Sequence, residues 1–421
     1  MYVAFCGRKD GSRMDVLHDR CAGLDVHKEW VYVCVLIGQG SRQGRYKQKF
    51  GTFHHQLIAL RTWLLEHGVT HVLMESTGVY WMPIYDVLEG YVEVVVGNAQ
   101  HIMNVPGRKT DESDAEWLAK LLRFGLVKPS FVPERSFREL RQLTRYRRAL
   151  VQARASEQNR IEKHLQIAGI KLSSVTSKMF GVSGTDMLKH IADGKTEAST
   201  LAALARGRLR KKSEALEQAF AGPISGHTQK LISLQLAELD RLSSTIAEVE
   251  SNISRKARPY EAAIALLDPI PGINIPAAID IVAEIGTDMT HWQTHRQLAA
   301  MAGVCPGNYI SAGKRLKNRS RQGNPYLKSI LVQCAASAIN KNGSYFQAKY
   351  KRLRQSRGHK RAILAIAHAL LVTIYYILKR QEPYRDLGAN HLEAVDHTRK
   401  RTSLVRQLER LGFRVELNAM T

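Results

Sequence analysis

Cysteine is scarce in this chain, and its few copies are not grouped. The five cysteines form no Cys-x-x-Cys pair and are odd in number: Cys6, Cys21, Cys34, Cys305 and Cys334. This pattern favours neither a disulfide framework nor a zinc site, because both need paired cysteines at short or matched spacings. The sequence therefore suits a reducing compartment, and we expect a cytoplasmic, nucleoid-associated protein.

Long apolar runs are also scarce. The one candidate is 362–378, a stretch of 17 uncharged residues between Lys360-Arg361 and Lys379-Arg380. Seventeen residues is the lower limit for spanning a bilayer, and this stretch contains His368 and two adjacent tyrosines. We predict a buried core helix here and no membrane association.

Acidic residues are missing from a large part of the C-terminal half. The chain has 62 Lys and Arg against 38 Asp and Glu, a formal charge of +24. Residues 289–381 contain no acid at all but seventeen Lys and Arg. A short charge run is usually a solvated face, whereas an acid-free stretch of this length favours a surface that contacts phosphates. The densest part supplies our predicted nucleic-acid contacts, namely Lys314, Arg315, Lys317, Arg319 and Arg321.

Four acidic residues stand out against this basic background. Asp25 lies near the start of a predicted strand over 24–37, and Glu75 ends a predicted strand over 71–75. Asp111 and Asp114 open a predicted helix over 111–124, where a spacing of three places two side chains on one face. Carboxylates at strand ends and on such a helix can hold two hard divalent ions about 4 Å apart, the arrangement used to cut phosphodiesters. We predict a metal centre of the nuclease type at these four residues.

The order of predicted elements indicates α/β structure followed by α structure. After a leader over 1–20, expected to be disordered and with Met14 as an alternative start, strands are predicted at 24–37, 45–53, 71–75 and 92–96, with helices at 54–67, 79–89 and 111–124. Antiparallel strands followed by strand–helix alternation are typical of a ribonuclease H-like domain, here 21–132.

The remainder is predicted to be helical. Region 133–258 contains a strongly basic helix from Arg135 to Lys163 and a second helix with apolar residues at 3-4 spacing, Leu239, Leu242, Ile246, Val249 and Ile253. That spacing predicts a coiled-coil seam, formed within the chain or across a homo-oligomer. Region 259–385 is predicted to be a compact, all-helical domain, and 386–421 a C-terminal extension.

Several blocks of the sequence together resemble a known family. They are CAGLDVHK, MESTG and KTDESDAEWLAKLL in the N-terminal part, then IPGINIPAAIDIVAEIG, RQLAAMAGVCPGN, SAGKR and RQGNPYLKSILVQ in the C-terminal part. In this order they are similar to transposases of the insertion sequence 110 family, the DEDD-type recombinases guided by a bridge RNA. The blocks cover most of 21–131 and 265–380.

The resemblance implies specific roles. It implies a RuvC-like domain in which Asp25, Glu75, Asp111 and Asp114 bind Mg²⁺, and a transposase domain with a nucleophilic serine at Ser311. Many members have Ser-Gly-Gly where this chain has Ser311-Ala312-Gly313, and Ser320 is the nearest rival for the nucleophile. The resemblance further implies DNA as substrate, a structured guide RNA, and dimers that pair into a tetramer.

Two other functions remain open at the level of sequence. One is a RuvC-like endonuclease that resolves DNA junctions with metal-activated water, for which Ser311 is incidental. The other is a non-catalytic nucleic-acid-binding protein, which explains the charge but not the four acids. The phosphate-binding motif Gly-x4-Gly-Lys-Ser/Thr is absent, which fits a transesterification that conserves phosphodiester energy without ATP.

Overall fold

The chain forms two compact units, Met1–Val132 and Pro133–Thr421. The structure is a computed structural model, and it describes residues 15–38, 44–76, 78–98, 102, 114–306, 309–311, 314–317, 320 and 322–415. Of the predicted leader, residues 1–14 lie outside this range. Leu17 already belongs to the N-terminal unit, since its amide donates to the carbonyl oxygen of Arg123 at 2.9 Å.

The N-terminal unit is built on one five-stranded mixed sheet. Its strands are β1 (Arg20–Val26), β2 (Trp30–Ile37), β3 (Gly44–Gly51), β4 (His71–Glu75) and β5 (Glu93–Gly97). The spatial order is β3-β2-β1-β4-β5. The β1–β2 and β2–β3 pairs are antiparallel, whereas β1–β4 and β4–β5 are parallel. This order is compatible with the predicted ribonuclease H-like arrangement.

Helices cover both faces of this sheet. Helices α1 (His54–Glu66) and α2 (Trp81–Leu88) pack on one face, where Leu24, Met74 and Leu60 share a buried cluster. Helix α3 (Asp114–Arg123) packs on the other face, in a cluster with Cys21 and Leu73. Side chains alternate between the two faces along each strand, and both faces are buried, so the central strands are apolar almost throughout.

The strand predicted over 24–37 is in fact two strands. The chain turns back after Val26, and β1 and β2 pair antiparallel with Asp25 opposite Tyr32. Apolar residues resume so soon after the turn that the sequence pattern predicts one continuous strand. The polar residues His27, Lys28 and Glu29 mark the turn, where the amide of His27 donates to the carbonyl oxygen of Trp30 at 2.9 Å.

The C-terminal unit is mostly helical. It begins with α4 (Arg135–Ile167), α5 (Leu172–Val175), α6 (Val182–Ala192), α7 (Ala198–Ala203), α8 (Ser213–Ala219) and α9 (Gly226–Ala257). It continues with α10 (Glu261–Leu267), α11 (Ile275–Ile285), α12 (His295–Ala302), α13 (Pro325–Ala338), α14 (Tyr345–Arg357), α15 (His359–Arg380) and α16 (His391–Arg410). Short 3-10 turns lie at Gly207–Lys212, Arg258–Tyr260 and Met289–His291.

The 3-4 seam of α9 pairs within the chain. Helix α9 packs along α4, and the five seam residues are each at most 8% exposed: Leu239, Leu242, Ile246, Val249 and Ile253. Burying five aliphatic side chains on one stripe stabilises this helix pair by several kcal/mol, at roughly 1.5–3 kcal/mol for each side chain. The seam therefore does not offer the free surface for oligomerisation that its spacing suggested.

Helix α15 is the apolar helix anticipated at 362–378. Within the described residues it is the one helix long and apolar enough to cross a membrane by composition, and 61% of its apolar window is buried inside the protein. It packs against α10, α12, α13 and α14. Side chains such as Ile366 and Leu370 are fully buried. It thus packs as a core helix of the C-terminal unit.

The prediction of an all-helical domain over 259–385 is wrong at one place. Strands β6 (Tyr309–Ser311) and β7 (Lys314–Lys317) form a two-stranded antiparallel sheet. Only two residues, Ala312 and Gly313, separate the strands in sequence, and a two-residue connection with glycine is a hairpin signal. The cations that follow it, beginning with Lys314 and Arg315, masked that signal.

Candidate functional site

Asp25 and Glu75 lie at the same edge of the sheet. Glu75 is the last residue of β4, and Asp25 is the last residue but one of β1. These strands are parallel neighbours, with Gly23 beside Leu73 and Leu24 beside Met74. The next position in this register places Asp25 beside Glu75, and adjacent strands are about 4.8 Å apart. The structure thus brings these two predicted ligands together.

Both acids lie on the face that α3 covers. Leu24 and Met74 belong to the cluster under α1 and α2, so their neighbours Asp25 and Glu75 belong to the opposite face. On that face Gly23 lies so close to α3 that a Cβ there would collide with the carbonyl oxygen of Ala115. Any larger residue at position 23 would push the helix away from the sheet.

The direction of α3 places Asp114 near the same edge. Further back along β1, the thiol of Cys21 lies 3.6 Å from the carbonyl oxygen of Ala119, whereas Gly23 contacts Ala115. The helix therefore runs antiparallel to β1, and its first residue, Asp114, points toward the Asp25 end. Asp111, the fourth predicted ligand, lies outside the described residues.

The donor set suits a hard divalent cation. Carboxylate oxygens are the ligands that Mg²⁺ and similar ions prefer, and Asp25, Glu75 and Asp114 supply only carboxylates. Within the described ranges, which omit Asp111, no three His, Cys, Asp or Glu side chains are close enough to hold a metal ion. A complete ligand set would thus need Asp111 together with some movement of the other three.

His27 contacts the first of these acids. Its Nε2 lies 3.2 Å from Oδ2 of Asp25, and its ring stacks on Trp30 with 3.8 Å between centroids. Lys49 Nζ lies 4.7 Å from the centroid of the Trp30 ring. Stacking on Trp30 limits the rotation of His27 and so helps to hold the Asp25 carboxylate in one orientation.

Glu116 is a buried charged residue that the sequence reading missed. Its side chain is 3% exposed and accepts a hydrogen bond from Arg45 at 2.7 Å, with Lys47 also in contact and Lys120 at 3.4 Å. Burial alone would raise the pKa of this carboxyl, but the hydrogen bonds and charges of Lys47 and Arg45 lower its pKa to about 2. Glu116 therefore ties α3 to β3 and so fixes the helix that carries Asp114.

We expect Glu116→Gln to lower the free energy of unfolding of the N-terminal unit by roughly 3 kcal/mol at pH 7. This value is the free-energy equivalent of the lowered pKa of Glu116. Because the folded pKa is below the unfolded one, the contribution of Glu116 is complete above pH 5 and is lost as the pH falls toward 2. Four of the five tryptophans (Trp30, Trp63, Trp81 and Trp117) lie in this unit, so tryptophan fluorescence during urea unfolding reports on it.

The control for this measurement is Glu66→Gln, which removes an exposed carboxylate from α1. Its urea midpoint should equal that of the unmodified chain at every pH. A Glu116→Gln variant with the same midpoint and the same loss of stability in acid as the unmodified chain would show that Glu116 does not anchor α3.

Ser311 lies in the basic hairpin of the C-terminal unit. It is the last residue of β6, and the sheet register pairs it with Lys314 at the start of β7. Arg315 and Lys317 lie on the same strand β7, opposite Ile310 and Tyr309. Three of the five predicted nucleic-acid contacts are thus placed on the strand that pairs with Ser311. Arg319 and Arg321 lie outside the described residues.

The rival serine, Ser320, has structural partners. Lys328 Nζ donates to its Oγ at 2.8 Å, and its backbone forms an isolated bridge with Pro306. Shortly after it, the amide of Asn324 donates to the carbonyl oxygen of Met301 at 2.7 Å. Asn324 also caps α13, where its side chain accepts from two backbone amides. These contacts attach the segment after the hairpin to α12 and α13.

The strongly basic helix predicted from Arg135 to Lys163, which is α4, uses part of its charge inside the protein. Four of its arginines point into the C-terminal unit. Arg145 forms a bidentate pair with the buried Glu284 at 2.8 and 2.9 Å, Arg141 also contacts Glu284, Arg147 pairs with Asp280 at 2.7 Å, and Arg148 donates to Ser329 at 2.6 Å. These guanidinium groups are used in packing α4 against α11 and α13.

A cationic surface does exist where α14 meets α15. Its members are exposed and, within the described part of the chain, none of them pairs with a carboxylate: Lys351, Arg354, Arg357, Lys360 and Arg361. Cations without counter-charges attract a polyanion and release its counterions on binding. This surface belongs to the acid-free stretch and is suited to phosphate contact.

Comparison with known proteins gives consistent matches. A family model for DEDD-type IS110 transposases, described as "Transposase", matches residues 22–170, and a model described as "Transposase IS116/IS110/IS902 family" matches residues 264–351. A transposase for insertion sequence element IS1111A of Coxiella burnetii is 28% identical over 161 residues, 37% of this chain and 44% of that protein. A protein of Pseudomonas aeruginosa named a probable family 20 transposase is 26% identical over 293 residues, 67% of this chain and 75% of that protein.

Proposed function

Because this chain belongs to the IS110 family of transposases, we propose that it cuts and rejoins the DNA strands at the ends of an insertion sequence, with Ser311 as nucleophile. The observation that supports the proposal is that Asp25 and Glu75 lie near the ends of two neighbouring parallel strands, on the face covered by the helix that begins with Asp114. The sheet order is β3-β2-β1-β4-β5. This order supports a ribonuclease H-like, RuvC-like domain for residues 21–132.

The DEDD-type domain indicates dependence on divalent metal ions, and we propose Mg²⁺ as the ion. The residues that would hold it are Asp25, Glu75, Asp111 and Asp114. When bound, the ions would offset the negative charge that develops on the phosphate in the transition state. Glu116 and Gly23 keep α3 against the sheet, and His27 restrains the carboxylate of Asp25.

The residues of the basic hairpin account for the covalent step. The Ser311 hydroxyl oxygen attacks the phosphorus and releases its proton to water, while the bond from phosphorus to a deoxyribose oxygen breaks. That oxygen takes up a proton from water and leaves as a hydroxyl. Attack by a hydroxyl of another strand then breaks the serine–phosphate bond and restores Ser311. Lys314 and Arg315 are the cations next to it in the hairpin and are suited to hold the phosphate.

The partners follow from the same proposal. We propose that target choice rests on base pairing by a structured guide RNA, because phosphate contacts position a protein on nucleic acid but read little sequence. Recombination joins two duplexes and needs several active sites, so we propose a homo-oligomer, a dimer or tetramer, acting in the cytoplasm at the nucleoid. Since the α9 seam is buried within the chain, the subunit contact must use another surface.

The experiment that tests this function is a recombination assay with protein freed of RNA. With element-end DNA and Mg²⁺, we expect correct joints only when the transcript that flanks the gene is added, and none with a chelator present. The affinity for nucleic acid should fall steeply with salt because counterions are released. Correct joints at full rate from RNA-free protein would reject guidance by RNA. Hydrolysed ends without any joint would favour the junction nuclease instead.

A further inference from the structure

A groove of about 490 Å³ opens in the C-terminal unit where the end of α15 meets the segment after it. Its walls carry Tyr345, Tyr376 and Tyr384, and its apolar floor includes Phe346 and Ile377. We call it the tyrosine groove. Tyr376 is 37% exposed, so part of its ring is accessible to a ligand.

Cations lie over these rings. The guanidinium of Arg380 lies 5.0 Å from the centroid of Tyr376, and Nζ of Lys349 lies 5.2 Å from that of Tyr345. Arg385 also lines the groove. Proteins hold unpaired nucleotides with this combination, because bases stack on aromatic rings and arginine or lysine neutralises the adjoining phosphates. The charge of the groove rim is therefore complementary to a nucleic-acid strand.

Hydrogen bonds to the Asp386 side chain fix one wall of the groove. Asp386 accepts a hydrogen bond from the amide of Tyr345 at 3.0 Å and another from the amide of Gly388 at 2.8 Å. These bonds fix the segment after α15 against the start of α14. The Asp386 carboxylate is thereby used in holding the fold, and a ligand does not have to order this segment when it binds.

Glu382 distinguishes a base from a phosphate as the occupant. Glu382 is among the residues that line the groove, and a carboxylate there would repel a phosphate placed inside. A carboxylate does accept hydrogen bonds from an exocyclic amino group, as in the recognition of cytosine N4. The aromatic walls and this acceptor together fit a base that carries an amino group, with its phosphates outside beside Arg380 and Arg385.

We propose that the tyrosine groove binds one unpaired, amino-bearing nucleobase of a DNA strand. The proposal rests on the proposed function, since strand exchange exposes unpaired DNA bases. It concerns a site separate from Ser311 and from the four acids. Tyr376 provides the stacking ring, Glu382 reads the amino group, and Arg380 and Arg385 contact the backbone of the strand.

The test is fluorescence anisotropy of the full chain with labelled single strands of dC and dT of equal length. We expect unmodified protein to prefer the dC strand about tenfold, the usual effect of one hydrogen bond to a charged group. Tyr376→Leu should weaken binding of the dC strand about tenfold, because one stacking contact is lost. Tyr376→Phe keeps the ring and should bind normally, and Glu382→Gln should reduce the preference for dC.

The matched control is Tyr91→Leu. Tyr91 is also an exposed tyrosine with an arginine over its ring, Arg61 at 4.1 Å, but it lies in the N-terminal unit and does not line the tyrosine groove. If Tyr376→Leu and Tyr91→Leu lose equal affinity for the dC strand, the proposal is overturned. Thermal melting checks that both variants fold. Tighter, Tyr376-dependent binding of an rC strand than of dC would reassign the groove to RNA and overturn the DNA assignment.

Failure of this proposal is distinguishable from failure of the proposed function. Covalent adduct formation at Ser311 measures the recombinase and does not require the groove to be correctly assigned. If the unmodified chain forms the adduct but Tyr376→Leu does not weaken binding of the dC strand, only the assignment of the groove is rejected. Binding that depends on Tyr376, without any adduct from the unmodified chain, rejects the recombinase alone.

Discussion

Asp25→Asn, Glu75→Gln and Asp114→Asn are each expected to lower metal-dependent strand cleavage on the order of 10³-fold. Each substitution keeps the shape of the side chain and removes one negative charge from the edge shared by β1, β4 and α3. A divalent ion held by fewer carboxylates binds more weakly and offsets less charge in the transition state. Asp111→Asn should behave in the same way if Asp111 completes the set.

The measurement is cleavage of element-end DNA over a range of Mg²⁺ and Mn²⁺ concentrations. Isothermal titration of Mn²⁺ gives an independent value for metal binding without any reaction. Glu66→Gln, an exposed acid of the same unit, is the matched control and should cleave normally. Unchanged urea midpoints would show that the losses are not due to unfolding. Near-normal cleavage by any two of the acid variants would reject the metal centre.

The places of Glu75 at the end of a strand and Asp114 at the start of a helix could be anticipated from the sequence because their signals are local. Glu75 ends a five-residue apolar strand, and Asp114 opens an amphipathic helix, so each acid is recognisable from its neighbours. The apolar pattern did not indicate the turn after Val26, although three polar residues mark it. Without it the register of β1 against β4 is unknown, and the pairing of Asp25 with Glu75 is a guess from fold analogy.

The charged residues of long helices were harder to assign, because a basic helix has the same composition whether its cations face solvent or protein. Arg141 and Arg145 point to Glu284, an acid more than 130 residues away in the sequence. Glu116 contacts Arg45 and Lys47 on a strand 70 residues earlier. Such pairs depend on tertiary packing, and no periodicity within one helix predicts them.

The seam of α9 shows that the packing partner of apolar residues is also not identified by a local pattern. Its 3-4 spacing correctly indicates a helix that packs lengthwise on another helix. Spacing alone does not identify the partner, and here the partner is α4 of the same chain, so the surface is already buried. The hairpin that carries Ser311 is a further example, since strands of three and four residues are too short to give a periodic signal.

Ser311→Ala is expected to abolish the covalent protein–DNA adduct, lowering its yield by at least about 10³-fold, because no other group replaces the attacking hydroxyl. Ser311 ends β6 opposite Lys314, next to the cations of β7, where a phosphate would be held. The variant keeps these cations, so its affinity for nucleic acid should be unchanged. Loss of chemistry without loss of binding separates a nucleophile from a binding residue.

Ser320→Ala is the matched control, since Ser320 follows the same basic segment but its hydroxyl already accepts a hydrogen bond from Lys328. It should retain the adduct, with a loss of stability of about 1 kcal/mol from the missing hydrogen bond. Adducts would be trapped on DNA that cannot be rejoined, separated under denaturing conditions, and located by peptide mapping. A phosphopeptide that contains Ser320 or a tyrosine instead of Ser311 would reject the assignment. Free hydrolysed ends with no adduct from the unmodified chain would mean that water, and not a serine, attacks the phosphate.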